Sequence, residues 1–243
     1  TDVFALAPLS SSLVYSRQTL ATDSGAAGPQ AVAVVTTDSG EMAFWIGTSN
    51  FYAYDGQVRV IPCDLYDYVF KDMNRLQRAK FYAGVNQEFS EVWFFYVSES
   101  ADEIDRAVIY NYQNATWSKA NISRTVWLSK GIFSFPLALT AAGVIYEHEQ
   151  GDTDAGTAMN SYITSAPLDS GGMNYLDIGA FWPDMEPGGA QATVTLIGRA
   201  FPGAPDETYG PYLFDASMEK VDLTISVRQV QVKISGYDGH WEI

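Results

Sequence analysis

Two histidines, His148 and His240, and one cysteine, Cys63, are all that 243 residues offer for imidazole or thiol chemistry. His148 sits in the run YEHEQ, between Glu147 and Glu149. On an extended strand, side chains two apart share a face at about 7 Å, so the two glutamates form a candidate carboxylate pair. That spacing lies between the separations of retaining and inverting glycosidases. The plainer reading is an edge strand carrying solvated charge, a common way of blunting a sheet edge.

Three acidic turns invite metal or sugar readings. GDTDAG places Asp152 and Asp154 ahead of a glycine, like part of a calcium loop, but the later ligand positions and the closing bidentate Glu are missing. TTDSGEMAF matches the Asp-box turn of sialidase-type propellers at Thr36, Asp38 and Gly40, with Phe44 one position late. SGYDGHW near the end has its Asp one residue late. All three read as turns. No glycine-rich phosphate loop leads from a strand into a helix, and there is no G-x-S-x-G elbow. Two Asn-x-Ser/Thr sequons, at Asn114 and Asn121, carry meaning only in a secreted chain. The expectation is a protein that is not an enzyme, with no catalytic residues, no cofactor and no metal.

The one cationic cluster is Lys71, Arg75 and Arg78. On a continuous helix these fall at i, i+4 and i+7 and line one face, a candidate subunit-interface or phosphate-contact stripe. The competing reading pairs them with Asp64, Asp67 and Asp72 on a solvated face. The carrying element is DLYDYVFKDMNRLQRAKF, where Leu65, Tyr68, Val69, Leu76 and Ala79 recur at helical spacing behind Asp64 as N-cap. This predicts one helix near residues 64–81, kinked near Asn74.

Around that helix the grammar is β. In MAFWIGTSNFYAYDGQVRVIP, strands at Met42 to Ile46, Phe51 to Tyr54 and Gln57 to Ile61 are separated by turn residues, with Asp55-Gly56 as a hairpin signal. Strands near Val92 to Val97, Ala107 to Tyr112 and from Trp117 repeat the pattern, as do Phe135 to Leu139 and Val144 to Glu149. Three aromatic-rich meanders, with Tyr54, Tyr112 and Tyr146 at corresponding strand ends, predict propeller-like blades that cannot close a core alone. After Gly151, strands at Ala192 to Gly198, Lys220 to Val227 and Gln229 to Ser235, with loops at 183–189 and 201–211, predict a β-sandwich. The expected organisation is all-β: a meander domain over 1–155 and a sandwich over 156–243.

Twenty-nine acidic against fourteen basic residues give a net charge of −15, which repels phosphate and excludes a dedicated nucleic-acid gripper. A conduit through which DNA slides is compatible with it, because like charge on the wall does not bind the passing strand. One cysteine excludes an intrachain disulfide, and no eighteen-residue apolar run predicts a membrane span. The chain begins at Thr1 without the layout of a signal peptide, which points to processing or to a piece of something longer.

The stretches FWIGTSNFYAYDGQVRVIPCDLYDYVFKDMN and FYAGVNQEFSEVWFFYVSESADEIDRAVIYNYQNATWSKANISRTVWL resemble the propeller-bearing tail nozzle and packaged-DNA stabilisation proteins of short-tailed bacteriophages. The closing DLTISVRQVQVKISGYDGHWEI is similar to their last sandwich strands. Family chains are longer and carry more blades, so this chain is either part of a longer one or a propeller left incomplete or completed by another chain. The resemblance implies a virion protein assembled in the host cytoplasm: a homo-oligomeric ring, commonly a hexamer, between portal or adaptor and tail, around the exiting genomic DNA. Two rival expectations stand beside it: a carbohydrate-binding or glycan-cleaving propeller acting on the host surface, and a non-conduit scaffold or baseplate module.

Overall fold

The computed structural model describes residues 1–9, 14–37, 40–151, 153–172, 174–182, 191–214 and 218–237. Asp38, Asp152, the loop at 183–189 and His240 lie outside the described residues. The protein is all-β with one short α-helix, and it divides at Gln150/Gly151, a few residues before the expected break.

In the first unit, β1 (Val3–Pro8) and β2 (Tyr15–Ala21) form a hairpin that the sequence reading did not anticipate. β3 (Val32–Thr37), β4 (Gly40–Ile46), β5 (Phe51–Tyr54) and β6 (Val58–Ile61) make a four-stranded antiparallel sheet in chain order. The predicted three-strand meander thus has a fourth member, β3, whose VAVVTT alternates buried and exposed. The β5–β6 connection spans residues 55–57 rather than two residues, and Gly56 takes a φ of 113° there, which suits a residue without Cβ.

The predicted single helix is two pieces. α1 (Tyr66–Asp72) stops at Met73, and Arg75–Lys80 is a 3-10 segment. Leu65, not Asp64, is the N-cap, with no side-chain cap bond. Asn74 makes the break. Its Oδ1 accepts from the Leu76 N–H at 3.1 Å, its Nδ2 donates to the Ala101 carbonyl at 2.9 Å, and its own N–H donates to the Val97 carbonyl at 2.8 Å. An Asn that satisfies its neighbours outside the helical ladder competes with that ladder, and here tertiary partners decide the outcome.

β7 (Tyr82–Asn86), β8 (Glu91–Tyr96), β9 (Arg106–Asn111) and β10 (Thr116–Asn121) form the second four-stranded sheet; β11 (Val126–Leu128), β12 (Leu137–Leu139) and β13 (Ile145–Glu147) form a third. The opening hairpins of the first two sheets share one register. Ala33 faces Phe44 and Ala83 faces Phe94, an offset of 50 residues in both strands (33 to 83, 44 to 94). In the third sheet the buried pair is inverted, Trp127 opposite Ala138. A large ring beside a small residue at each level lets facing layers interdigitate. The tyrosines do not mark this repeat. Tyr54 closes β5 opposite Val58, Tyr112 lies beyond the end of β9, and Tyr146 sits inside β13 opposite Ala138.

The three sheets stack in series. Phe51 of the first lies 5.2 Å from Phe94 and 4.6 Å from Trp117 of the second, and 5.2 Å from Phe70 of α1. Strand alternation turns Trp93 and Phe95 to the other side of the second sheet. There Trp127 of the third stacks 5.2 Å from Trp93, over Gly84. Each indole of this stack, and Trp45 on the outer side of the first sheet, carries its N–H to an acceptor: Trp45 to the Ser24 carbonyl (2.6 Å), Trp117 to Pro62 (2.8 Å), Trp127 to Val85 (2.9 Å) and Trp93 to the Glu91 carboxylate (2.9 Å). These indoles are therefore buried without stranding their N–H donors.

The second unit opens with the tight hairpin of β14 (Thr153–Asp154) and β15 (Thr157–Ala158), followed by β16 (Ser161–Thr164), β17 (Leu176–Phe181), β18 (Gln191–Arg199), β19 (Glu207–Phe214), β20 (Val221–Val227) and β21 (Gln229–Tyr237). One sheet runs β16-β21-β18-β19 and the other pairs β17 with β20. Val194, Leu196 and Ile234 of the first close a core with Leu223, Ile225 and Val227 of the second, a small sandwich. The loop expected over 201–211 is shorter, because β19 begins at Glu207 and contains Pro211. β19 is an edge strand, where a residue without an N–H costs no ladder bond.

Candidate functional site

The predicted cationic stripe is dispersed by the break at Asn74. Lys71 remains on α1 and pairs with Asp67 at 2.8 Å, while Arg75 and Arg78 belong to the 3-10 segment. At three residues per turn, i and i+3 eclipse, so Arg75 and Arg78 share an edge without the helical line to Lys71. Both are exposed, with Leu76 between them almost wholly in solvent. The segment's remaining cation, Lys80, donates to the Asp102 carbonyl at 2.6 Å and pairs with Glu103. What survives of the stripe is two arginines flanking a leucine on a surface projection.

The carboxylate pair is regrouped. β13 ends at Glu147, and Glu149 takes a φ of 59°, so the two-residue alternation fails and the glutamates do not share a strand face. Glu149 turns to Asn86, whose Nδ2 donates to it at 2.9 Å, and comes within electrostatic reach of Glu91 and Glu88. Burial first, then the Glu91 charge, pushes the Glu149 carboxyl above the usual carboxylate range, against the Asn86 bond that lowers it. Burial pushes Glu91 up as well, opposed by the Trp93 indole. The sequence reading missed Glu91 and Asn86. The only signal for them is that buried Asn86 ends β7 directly opposite Glu91.

His148 is a structural partner in this corner. Arg124 Nε donates to its Nε2 at 3.0 Å, its ring lies 4.9 Å from Trp127, and its N–H donates to the Pro136 carbonyl at 2.8 Å. A ring nitrogen that accepts from a guanidinium is deprotonated and already engaged. The later part of GDTDAG is a hairpin turn, with Ala155 and Gly156 both at positive φ between Asp154 and Thr157, as a type I′ turn requires. Among the described residues no group of three His, Cys, Asp or Glu could hold a metal. Burial pushes the Cys63 thiol up to about 11, so it stays protonated at neutral pH.

The paired acids have a measurable consequence. A carboxyl whose folded pKa is raised binds its proton longer than in the unfolded chain. Stability is therefore highest below the ordinary glutamate range, and falls as pH rises through it to the folded value. Glu149→Gln keeps an acceptor for Asn86 and removes the repulsion from Glu91. It is expected to raise the melting temperature slightly at pH 7, by a free energy under about 1 kcal/mol because Glu149 is partly solvated. The gain should vanish near pH 4 in paired thermal scans; an equal gain at both pH values contradicts the assignment.

Depressions on the described surface of the first unit include the following two. One, of about 450 Å³, lies on the outer side of the first sheet and is lined by Phe4, Leu20, Val32, Ala43, Trp45 and Tyr54. The other, of about 140 Å³, touches Phe44, Arg59 and Tyr110. Neither includes Glu91, Glu147 or Glu149. No helix among the described residues is long and apolar enough to cross a membrane. Compared with known proteins, the chain matches no family model and no characterised protein.

Proposed function

We propose that the chain is a structural protein of a phage tail, a subunit of the nozzle or hub ring that surrounds the exiting genome and retains it before ejection. The observation that carries this reading is the placement of the aromatics. Phe44, Phe51, Phe94, Phe95, Tyr96 and Trp127 are all buried between sheets, so they serve as packing and the molecule acts through shape and assembly. A chain with a charge of −15 suits the wall of a DNA conduit, since carboxylates do not hold passing phosphates. The resemblance of its aromatic strand layout to nozzle and packaged-DNA stabilisation proteins suggests the same role, and it implies the partners: further copies of the chain, a portal or adaptor, and genomic DNA in non-specific passage. The ring expected from that family is commonly sixfold.

Labelling purified particles with an antibody against the chain, followed by imaging, tests the proposal. Label at the tail vertex is expected; label spread over the capsid, or on fibres, overturns it and favours the scaffold reading. A companion measurement is retention of duplex DNA at about 50 mM salt, where a basic lining would bind strongly. No retention is expected. The glycan reading rests on the raised Glu91 and Glu149 pair, and release of reducing ends from host polysaccharide would favour it over the ring.

A further inference from the structure

The three-sheet stack ends in two apolar faces that nothing within the first unit fully covers. Alternation along β3 and β6 turns Val32, Val34 and Val60 away from the buried Ala33 and Phe44, and these valines are 41%, 59% and 52% exposed. At the other end, Trp127 and Ala138 face the second sheet, while Val126, Leu128 and Ile145 point outward and are 46%, 49% and 64% exposed. We propose that the outer face of β11–β13 in one copy of the chain docks on the outer face of β3–β6 in a second copy, continuing the stack head to tail into a closed ring.

The chain itself shows what covers such a face. The side of the second sheet that bears Gly84 and Trp93 is covered by the third sheet, through Trp127. Stacked meanders behave as repeats that bury one another in series, and terminal faces are left for a cap or a neighbour. The first unit has one such face at each end of its stack, so a single heterologous contact repeated around a ring satisfies both. The first-sheet face also holds the 450 Å³ depression, beside Val32, Trp45 and Tyr54, which receives large side chains from the partner.

Area and charge agree with this occupant. A stable interface takes roughly 800 Å² per partner, a little over half of it apolar. Three half-exposed aliphatic residues supply on the order of 250 Å² of that. Leu6 and Tyr15 of the first hairpin, and Ile132 and Phe133 in the loop between β11 and β12, are further exposed apolar side chains of the same unit. Copies that each carry −15 repel over most of their surface. The two end faces carry few charges, Asp2, Arg17 and Glu41 on one and Glu147 on the other, so association strengthens as salt screens the repulsion between copies.

The inference rests on the ring reading of function, and the test separates the two. Sedimentation of the full chain at about 100 μM, in low and in high salt, is expected to give a discrete oligomer favoured by salt. Val34→Lys and Leu128→Lys place a charge on one end face each. Both are surface positions, and their folding is checked by thermal unfolding, with Val60→Lys and Ile145→Lys as second variants. Each single variant is expected to be monomeric, with association weakened at least a hundredfold. An equimolar mixture of Val34→Lys and Leu128→Lys is expected to give dimers and nothing larger, because one intact face of each kind remains. A wild-type chain that stays monomeric in high salt overturns both the docking and the ring. An oligomer that survives all four variants overturns the docking and leaves the ring. A mixture that stays monomeric also overturns the docking.

Discussion

Replacing Trp127 with alanine is expected to lower the unfolding free energy of the first unit by about 3–5 kcal/mol, the range for a fully buried large aromatic. Trp127 is buried, stacks on Trp93 and Phe95, and donates its indole N–H to the Val85 carbonyl. It is the main tie between the second and third sheets. Its truncation opens a cavity and removes one of the two donors to the Val85 carbonyl, leaving the Ser129 hydroxyl.

The position beneath it makes the effect specific. A Cβ at Gly84 would stand 2.6 Å from Cγ and Cδ1 of Trp127 and 2.8 Å from its Cβ. Gly84→Ala is therefore expected to destabilise by about 1–3 kcal/mol, the cost of overpacking. Elsewhere in a strand the same change gains about 0.5–1 kcal/mol by reducing the freedom of the unfolded chain. With Trp127→Ala in place the contacts to the ring are gone and only the 2.8 Å approach to the Cβ of residue 127 remains, so Gly84→Ala should cost clearly less than it does in the wild type. Urea unfolding of the two single variants and the double variant closes the cycle. Additive losses would mean that Gly84 is not held free for the Trp127 ring.

The second large effect belongs to Phe51. Phe51→Ala is expected to cost about 3–5 kcal/mol, because its ring meets Phe70, Phe94 and Trp117 at once and so joins α1, the first sheet and the second. Phe51→Leu keeps most of the volume and should lose under about half as much. The check is chemical denaturation read by near-ultraviolet circular dichroism. A loss below about 1 kcal/mol for Phe51→Ala would mean that the ring sits at a solvated edge and not at a three-element junction.

Together these variants probe the physical basis of the proposed role. If the crowded Phe, Tyr and Trp residues are packing, their truncation costs stability throughout the first unit. If they were a binding surface, truncation would cost little in folding and much in ligand affinity.

The all-β class, the two-unit division and most strands of the meanders could be read from the chain, because aromatic and β-branched runs broken by Gly, Asn and Asp carry their information locally. Phe51 to Tyr54 falls on β5 as expected, and the strand from Trp117 begins at Thr116, one residue earlier. The missed strands have local reasons. β3, VAVVTT, lacks aromatic punctuation, and β7, YAGVN, contains a glycine that weakens strand propensity and is explained only by the ring lying on it. The sequence predicts one continuous helix because its apolar spacing is helical on both sides of Asn74. The break depends on Ala101 and Val97, more than twenty residues away, and no local pattern contains them.

The candidate site was less legible than the fold. Which residues carry charge is a matter of sequence, but which carboxylates meet is set by where strands end. A strand face through Glu147 and Glu149 follows from alternation. A single left-handed residue cancels it and sends Glu149 to Asn86 and Glu91, residues about sixty positions earlier. What the chain alone determined is the local menu: strands, turns, an acidic surface and an abundance of rings. What only the tertiary structure decided is which faces of those strands are buried against each other and which stay exposed, because burial is a property of facing sheets and no single segment holds both partners.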